Sequence, residues 1–388
     1  MITVGEALDR LFALSRPMGV EEVPLLQAAR RVLAKEVTAT RDQPPFAASS
    51  MDGYAVTDTK PGDRLRVIGE SAAGHRFAGS VGEGEAVRIF TGAPLPEGAT
   101  RVVIQEDTMR DGDVIVIGDR IDDSTNIRPA GNDFRAGAGL SAGRVLSPND
   151  IALMAAMNIA TVPVARAPKV ALISTGDELV MPGETPGPDQ IIASNTFGLH
   201  ALLRDLGAEP RLLPIARDNI ASLKTMFALA GSADLIITIG GASVGDHDLV
   251  APVAAELGME RAFHKVAMRP GKPLMSGRLG DAMMIGLPGN PVSAMVCGHI
   301  FVAPVIRAML GLGQGPVPRK TGPLRHSLPP NGPREHYMRA TLHNDGLDVF
   351  ERQDSSLLSV LGKANALVVR PVGDGAREAG EPIEYVPL

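Results

Sequence analysis

Three predicted strand ends carry carboxylates: Asp177-Glu178 in Thr175-Gly176-Asp177-Glu178, then Asp218, then Asp248 at the end of Gly240-Gly241-Ala242-Ser243-Val244-Gly245-Asp246-His247-Asp248. Glycines let backbone approach a ligand closely, and a following helix start offers unpaired N–H groups to an anion. Carboxylates beside such a phosphate site suit Mg²⁺, which takes one or two of them together with substrate phosphate and water. Taken singly, Asp177, Asp218 and Asp248 also read as helix caps or turn formers; their recurrence at successive strand ends favours binding. The opposite charge gathers in residues 261–278, where Arg261, Lys265, Arg269, Lys272 and Arg278 occur with no Asp or Glu. Inside that stretch, Arg269-Pro270-Gly271-Lys272-Pro273 forms a rigid loop able to fix cations in front of an anion, and a solvated basic loop is the alternative. The run Gly286-Leu287-Pro288-Gly289-Asn290-Pro291 is a further strand-to-loop passage, with Pro291 placed to open a helix. A second basic stretch, residues 319–339, has Glu335 as its one acidic residue and otherwise reads as a polar barrel surface. Asp52 in Ser49-Ser50-Met51-Asp52-Gly53-Tyr54-Ala55 and Thr91 in Thr91-Gly92-Ala93-Pro94 sit at polar turn tips.

The elements that must position these residues follow from periodicity. Apolar strands at Val170–Ser174, Arg211–Ile215 and Asp234–Ile239 alternate with helices at Asn195–Leu206, Asn219–Ala230 and Leu249–Leu257. Such alternation predicts a parallel sheet covered on both faces, with ligand at the carboxyl ends of its strands. Residues 46–139 have a different texture: short β runs at Arg64–Ile68, Ala86–Phe90, Arg101–Gln105 and Val114–Ile117, separated by Gly, Pro and Asp turns. Helical patterns flank this unit. Thr3 and Glu6 form a capping box before Leu8, Leu11 and Phe12; a second helix is predicted over Gln27–Lys35; Ser147-Pro148 opens a third. The expected division is a helical connecting domain (1–45 and 140–168), an inserted β-rich domain (46–139), a central three-layer α/β domain (169–315) and a C-terminal β barrel (316–388).

Composition narrows the function. The 388 residues carry 38 Lys+Arg against 44 Asp+Glu, a formal net charge of −6, with 3% aromatics and no Trp. A negative chain poor in aromatics disfavours nucleic acid as partner. The single Cys297 excludes an internal disulfide and a Cys-cluster metal site, and it lies in an apolar run that reads as core. No apolar stretch reaches the roughly 20 residues of a bilayer span and the start lacks a signal pattern, so a cytoplasmic setting without a membrane is expected. There is no Walker loop, HExxH or nucleophile elbow, and the eight His show no metal-ligand spacing. The residues alone therefore indicate an anion- and Mg²⁺-binding α/β domain, nucleotide-like in its ligand, flanked by β modules.

Six motifs taken in order resemble the molybdopterin molybdenumtransferase family, that is bacterial MoeA and the gephyrin E domain. They are Ser50-Met51-Asp52-Gly53-Tyr54-Ala55-Val56, Arg88-Ile89-Phe90-Thr91-Gly92-Ala93, Ser174-Thr175-Gly176-Asp177-Glu178-Leu179, Gly240-Gly241-Ala242-Ser243-Val244-Gly245-Asp246, Arg269-Pro270-Gly271-Lys272-Pro273 and Gly286-Leu287-Pro288-Gly289-Asn290-Pro291-Val292-Ser293-Ala294. The resemblance implies a homodimer that receives adenylylated molybdopterin, supplied by a molybdopterin adenylyltransferase, and inserts molybdate with release of AMP, assisted by Mg²⁺. It implies a cleft shared between subunits, with Asp52 and Thr91 reaching in from the partner. Glu178, Asp218 and Asp248 would then act on the ligand phosphate, Asp218 and Asp248 through the metal. Gly240, Gly241 and Ser243 would cradle substrate, and Lys265, Arg269 and Lys272 would hold its anionic groups. Pro288 and Pro291 would shape the molybdate pocket, which Arg334 and Ser359 help to close. The chain departs from the family pattern where Arg269 stands for a frequent Lys, exchanging a point charge for a planar fork, and at Ala47-Ala48, where relatives often carry polar residues. A binding module without turnover and a nucleotide-dependent kinase or hydrolase are the rival readings; the first lacks an appended targeting segment and the second a Walker lysine.

Overall fold

The structure, a computed structural model, describes residues 1–241 and 249–388. Ser243 and Asp248 therefore lie outside the described residues. By the density of its internal contacts the chain forms two units, residues 22–164 and residues 1–21 with 165–388.

The smaller unit is built mainly of strands. Its six-stranded sheet runs in the order Arg101–Ile104, Gly53–Val56, Glu85–Ile89, Arg64–Ser71, Val114–Ile117, Thr108–Asp111, so the four predicted β runs fall in one sheet. Tyr54, Val56, Ala86, Val103 and Ile115 fill one side and Ala55, Val87, Ile89 and Val102 the other, as period-two alternation requires. The flanking stretches differ from the helical reading. They carry a four-stranded sheet (Val20–Pro24, Thr161–Ala165, Val32–Leu33, Arg144–Val145) and two of the expected helices, Val4–Leu14 with its Thr3/Glu6 capping box and Pro148–Ala156 opened by the Ser147/Asp150 capping box. The predicted helix Gln27–Lys35 is a 3₁₀ turn at Leu25–Gln27 followed by strand Val32–Leu33. Arg30 takes a left-handed φ of 65°, which ends any helix. Leu33 then pairs with Val164 and Arg144, and sheet pairing outweighs the helical propensity of Arg, Leu and Lys.

In the larger unit the sheet order is Glu209–Leu212, Lys169–Ser174, Leu235–Ile239, Ala282–Leu287, Met275–Leu279, Glu260–His264. The first four strands are parallel, and Met275–Leu279 runs antiparallel to both of its neighbours, Ala282–Leu287 and Glu260–His264. Leu235–Ile239 is buried throughout, as expected of a central parallel strand with both faces covered. The chain passes from Lys169–Ser174 outward to Glu209–Leu212, then returns to Leu235–Ile239 on the other side. That reversal sets a topological switch point between Lys169–Ser174 and Leu235–Ile239. Much of the acid-free stretch 261–278 is thus antiparallel sheet rather than loop. Only residues 265–274 form the connection, closed by Lys265 N–H donating to Leu274 O and Val266 N–H to Lys272 O.

Pro291–Met309 runs as one continuous 19-residue helical rod, α-helical at both ends and π-helical over Gly298–Val302. It is long and apolar enough by composition to cross a membrane, contrary to the expectation that no such stretch exists, yet most of it is buried inside the fold. Its apolarity serves the core. Cys297 lies within it, fully buried, with its thiol pKa pushed far up by desolvation, so the reading of an inert core thiol stands.

The C-terminal residues form a sheet in the order Met268–Arg269, Glu335–His343, Ala366–Arg370, Pro382–Pro387, Lys320–Pro323, with Gly346–Val349 also on Glu335–His343. A parallel bridge from Leu324 to Leu347 links the two ends of this run. The basic loop is itself part of that sheet, since Met268 and Arg269 pair with Glu335 and His336.

Candidate active site

An open cavity of about 710 Å³ lies at the carboxyl ends of the parallel strands, at the switch point. Each wall comes from the residues just past a strand. Thr175, Gly176 and Glu178 follow Lys169–Ser174; Asp218 follows Glu209–Leu212; Gly240 and Gly241 follow Leu235–Ile239; Pro288, Gly289, Asn290 and Pro291 follow Ala282–Leu287. The glycines are required by space and backbone. Gly240 has φ +93° and a Cβ there would stand 2.8 Å from Thr175 O and Oγ1, while at Gly241, φ +60°, it would stand 2.4 Å from Val250. Gly176 makes room for Glu178, whose Oε2 occupies the space 2.3 Å from where a Cβ would be. Asp218 is exposed, its backbone N–H donating to Asp177 Oδ1 at 3.3 Å. The floor loop is tied on both sides, because Asn195 donates to Gly289 O at 2.6 Å and Asn290 to Ser355 Oγ at 3.0 Å.

Of the residues singled out from sequence, Glu178, Asp218, Gly240, Gly241, Pro288 and Pro291 line this cavity. Lys265, Arg269 and Lys272 do not, although Pro273 at the end of their loop does. Ser359 is exposed in the short helix Leu358–Leu361 and lies outside the lining, where Ser356 takes the place expected of it. Arg334 is half-buried and donates to Met268 O at 3.4 Å.

Beside the cavity stands a cationic cluster that sequence reasoning missed in part. Arg269 pairs with His336, and His336 with Arg370, across adjacent strands. Arg339 is 1% exposed and His336 7%. Arg339 is held by Gln353, whose Oε1 accepts from its Nε at 3.2 Å, and by Asp354 O, which accepts from Nη1 at 2.7 Å. Asp354 in turn accepts from the backbone and hydroxyl of Ser356, the cavity residue. Arg370 has its own counter-charge, Asp374 at 2.6 Å. Among the described residues, Arg339 Nη2 and His336 Nε2 have no hydrogen-bond partner. Burial, and then the charges of Arg269, Arg339, Arg370 and Arg334, push the His336 imidazole down to about 4. Burial and Arg269 likewise lower Arg339. A buried site with excess positive charge and an unpaired guanidinium donor is complementary to a multivalent oxyanion. The signals in sequence were the basic stretches 261–278 and 319–339; that Arg339 is buried rather than on a polar surface is a matter of strand register.

The His336 shift carries a pH consequence. Between about 4 and the ordinary 6.5 the unfolded chain binds a proton at His336 that the folded chain refuses. Stability is therefore full above the unfolded value and declines as pH falls toward the folded one, by about 2 kcal/mol at pH 5. His336→Gln should remove that part of the acid-side loss, and urea midpoints at pH 7 and pH 5 measure it; an equal decline in both proteins refutes it.

In the smaller unit, Asp52 and Thr91 meet. The Thr91 backbone N–H and hydroxyl donate to Asp52 Oδ1 at 2.7 and 2.9 Å. Those bonds, the backbone one foremost, hold the Asp52 carboxyl below its ordinary range.

Comparison with known proteins adds the family. The MoeA N-terminal region (domain I and II) matches residues 2–158, the probable molybdopterin binding domain residues 171–308, and the MoeA C-terminal region (domain IV) residues 321–388. A relative from Nostoc sp. named molybdopterin molybdenumtransferase is 37% identical over 386 residues, covering 95% of this chain and 88% of its own. The chain belongs to the molybdopterin molybdenumtransferase family. A Haemophilus influenzae member of the same name is 35% identical, with coverage of 100% and 99%. The crystal structure of the molybdopterin biosynthesis MoeA protein from Pyrococcus horikosii superposes with a TM-score of 0.86 at 31% identity, covering 100% of this chain and 99% of that one. The cavity of this molybdopterin molybdenumtransferase homologue lies almost wholly within the molybdopterin-binding match, and its arginine cluster draws Arg334, Arg339 and Arg370 from the domain IV match.

Proposed function

We propose that the chain transfers molybdate into adenylylated molybdopterin, releasing AMP and yielding molybdenum cofactor. The observation that carries this reading is the adjacency of two unlike subsites in one unit: a glycine-cradled cavity with Glu178 and Asp218, and an acid-poor arginine cluster joined to it through Arg339, Asp354 and Ser356. The first suits a phosphate, the second a tetrahedral oxyanion. Among the described residues no trio of His, Cys, Asp and Glu gathers as a metal cage. A cation here would rely on Glu178 and Asp218 plus ligand oxygens and water, which is the donor set Mg²⁺ accepts. Bound Mg²⁺ supplies neutralisation of negative charge on the phosphate.

The residues of the chain then do the following. Gly240 and Gly241 let backbone approach the phosphate, and Asp218 and Glu178 orient the cation side of the site. Arg269 and Arg339 hold molybdate in a fixed pose close to the phosphate end. Water attacks the phosphorus and loses its proton to solvent, or a molybdate oxygen attacks and the Mo–O–P bridge is then hydrolysed; in either case the P–O anhydride bond breaks and AMP leaves. The two dithiolene thiols displace one oxide of molybdate, which departs with their protons as water. No side-chain nucleophile is needed. Asp52 and Thr91 belong to the same reading as groups supplied by the second subunit of a homodimer. The four-part division at residues 46, 140, 169 and 316 and a donor enzyme that makes adenylylated molybdopterin belong to it also.

The deciding experiment is molybdate-dependent AMP release from adenylylated molybdopterin, with tungstate as competitor. Release that ignores molybdate, or none at all, overturns the reading and favours a binding module. Mixing Asp52→Ala with Asp218→Ala protein restores part of the activity if the cleft is shared, and no recovery in verified heterodimers rejects the shared cleft.

A further inference from the structure

The geometry points to Arg88 as the positioning residue of the Asp52–Thr91 tip. Arg88 lies directly across from Tyr54 in the antiparallel pair of Gly53–Val56 with Glu85–Ile89. Its guanidinium sits 5.1 Å from the Tyr54 ring centre and 4.7 Å from that of Phe90. One end of the fork donates to Gly53 O at 2.9 Å and the other to Gln105 Oε1 at 2.6 Å. Every one of these partners adjoins the tip. Gly53 follows Asp52, Phe90 precedes Thr91, and Gln105 N–H donates to Asp52 O at 3.1 Å.

Asp52 itself is exposed, as is Thr91, so neither is held by burial. What fixes the Asp52 carboxylate is the pair of bonds from Thr91, and those bonds need the ends of two strands kept in register. The strand end at Gly53 lies so close to its neighbour that only glycine fits, since a Cβ there would stand 2.0 Å from Val103 O. Arg88 closes the other side by joining three segments, at Gly53, Phe90 and Gln105, through one rigid planar group. Lysine could supply the charge but not the fork. The positive charge also favours the ionised Asp52 carboxylate, a minor contribution beside the Thr91 bonds.

This inference rests on the reading that Asp52 serves the reaction, so the test separates the two. Amide hydrogen exchange at Thr91, with Val87 in the same strand as internal control, reports the tip without any assay of turnover. In Arg88→Gln and Arg88→Lys the Thr91 amide should exchange about 10-fold faster, while Val87 is unchanged. In the same proteins kcat for AMP release should fall by up to about 100-fold with the KM for molybdate unaltered, the scale expected when a reacting group is misplaced by about 1 Å. Equal acceleration at Thr91 and Val87 would mean that Arg88 merely stabilises the sheet, and wild-type exchange at Thr91 in both variants overturns the proposal outright. If Asp52→Ala retains AMP release, the role given to Asp52 fails, and the exchange result still judges Arg88.

Discussion

Asp218→Ala should lower molybdate-dependent AMP release by at least about 100-fold, which corresponds to ~3 kcal/mol of transition-state stabilisation. The effect is large because Asp218 is one of two described carboxylates in a cavity whose ligand brings negative phosphate oxygens. A cation held by two carboxylates and substrate loses much of its protein anchorage when one is removed. Stability should hardly change, within about 0.5 kcal/mol, since the side chain is exposed and the hydrogen bond recorded at this residue uses its backbone N–H. Single-turnover release and a thermal unfolding midpoint check both parts. A normal rate would remove Asp218 from the machinery, and a collapsed midpoint would show that it serves the fold.

Arg339→Met gives the second large effect, with an opposite pattern in stability. The guanidinium is buried and one of its nitrogens has no described partner, so in the unliganded protein part of its desolvation cost is not offset. Replacing a buried, poorly compensated charge by an apolar chain of similar length is often neutral or stabilising. Gln353 Oε1 keeps a donor, the Arg339 backbone N–H at 3.0 Å, so one acceptor is spared. The unfolding midpoint without molybdate should therefore hold or rise. The concentration of molybdate needed for half-maximal AMP release should rise about 10- to 100-fold, as loss of a hydrogen bond to a charged group in a dry site implies. An unchanged molybdate requirement would place the oxyanion elsewhere, and Arg269 would then be the next residue to test.

The two variants separate functions that the cavity and the cluster are proposed to divide: phosphate handling at the strand ends, and oxyanion holding at the C-terminal sheet that Met268–Arg269 joins. The link between them is short in bonds. Arg339 bonds Asp354, Asp354 bonds Ser356, and Ser356 lines the cavity. Ser355 bonds Asn290 on the opposite wall. The segment 353–356 thus fixes the spacing of the two subsites, and its polar side chains serve that spacing rather than either ligand alone.

Local chemistry in the sequence determined most of the phosphate side. Carboxylates and glycines directly after apolar β runs specify strand-end loops, because a strand fixes the direction of the residue that follows it. Glu178, Asp218, Gly240 and Gly241 accordingly fall in one cavity. The six ordered motifs also sufficed for the family. The tertiary structure alone decided the rest, for two reasons. Pairing overrode local preference at Val32–Leu33, where contacts with Val164 and Arg144 replaced the helix that the composition favours. Register decided the cationic side. Met268–Arg269 joins the sheet that begins at Glu335, and this long-range pairing sets His336 beside Arg269 and Arg370. A strand shifted by one residue would move Arg339 to the face that Met338 and Ala340 turn to the apolar core, and no pattern within residues 319–339 fixes that choice.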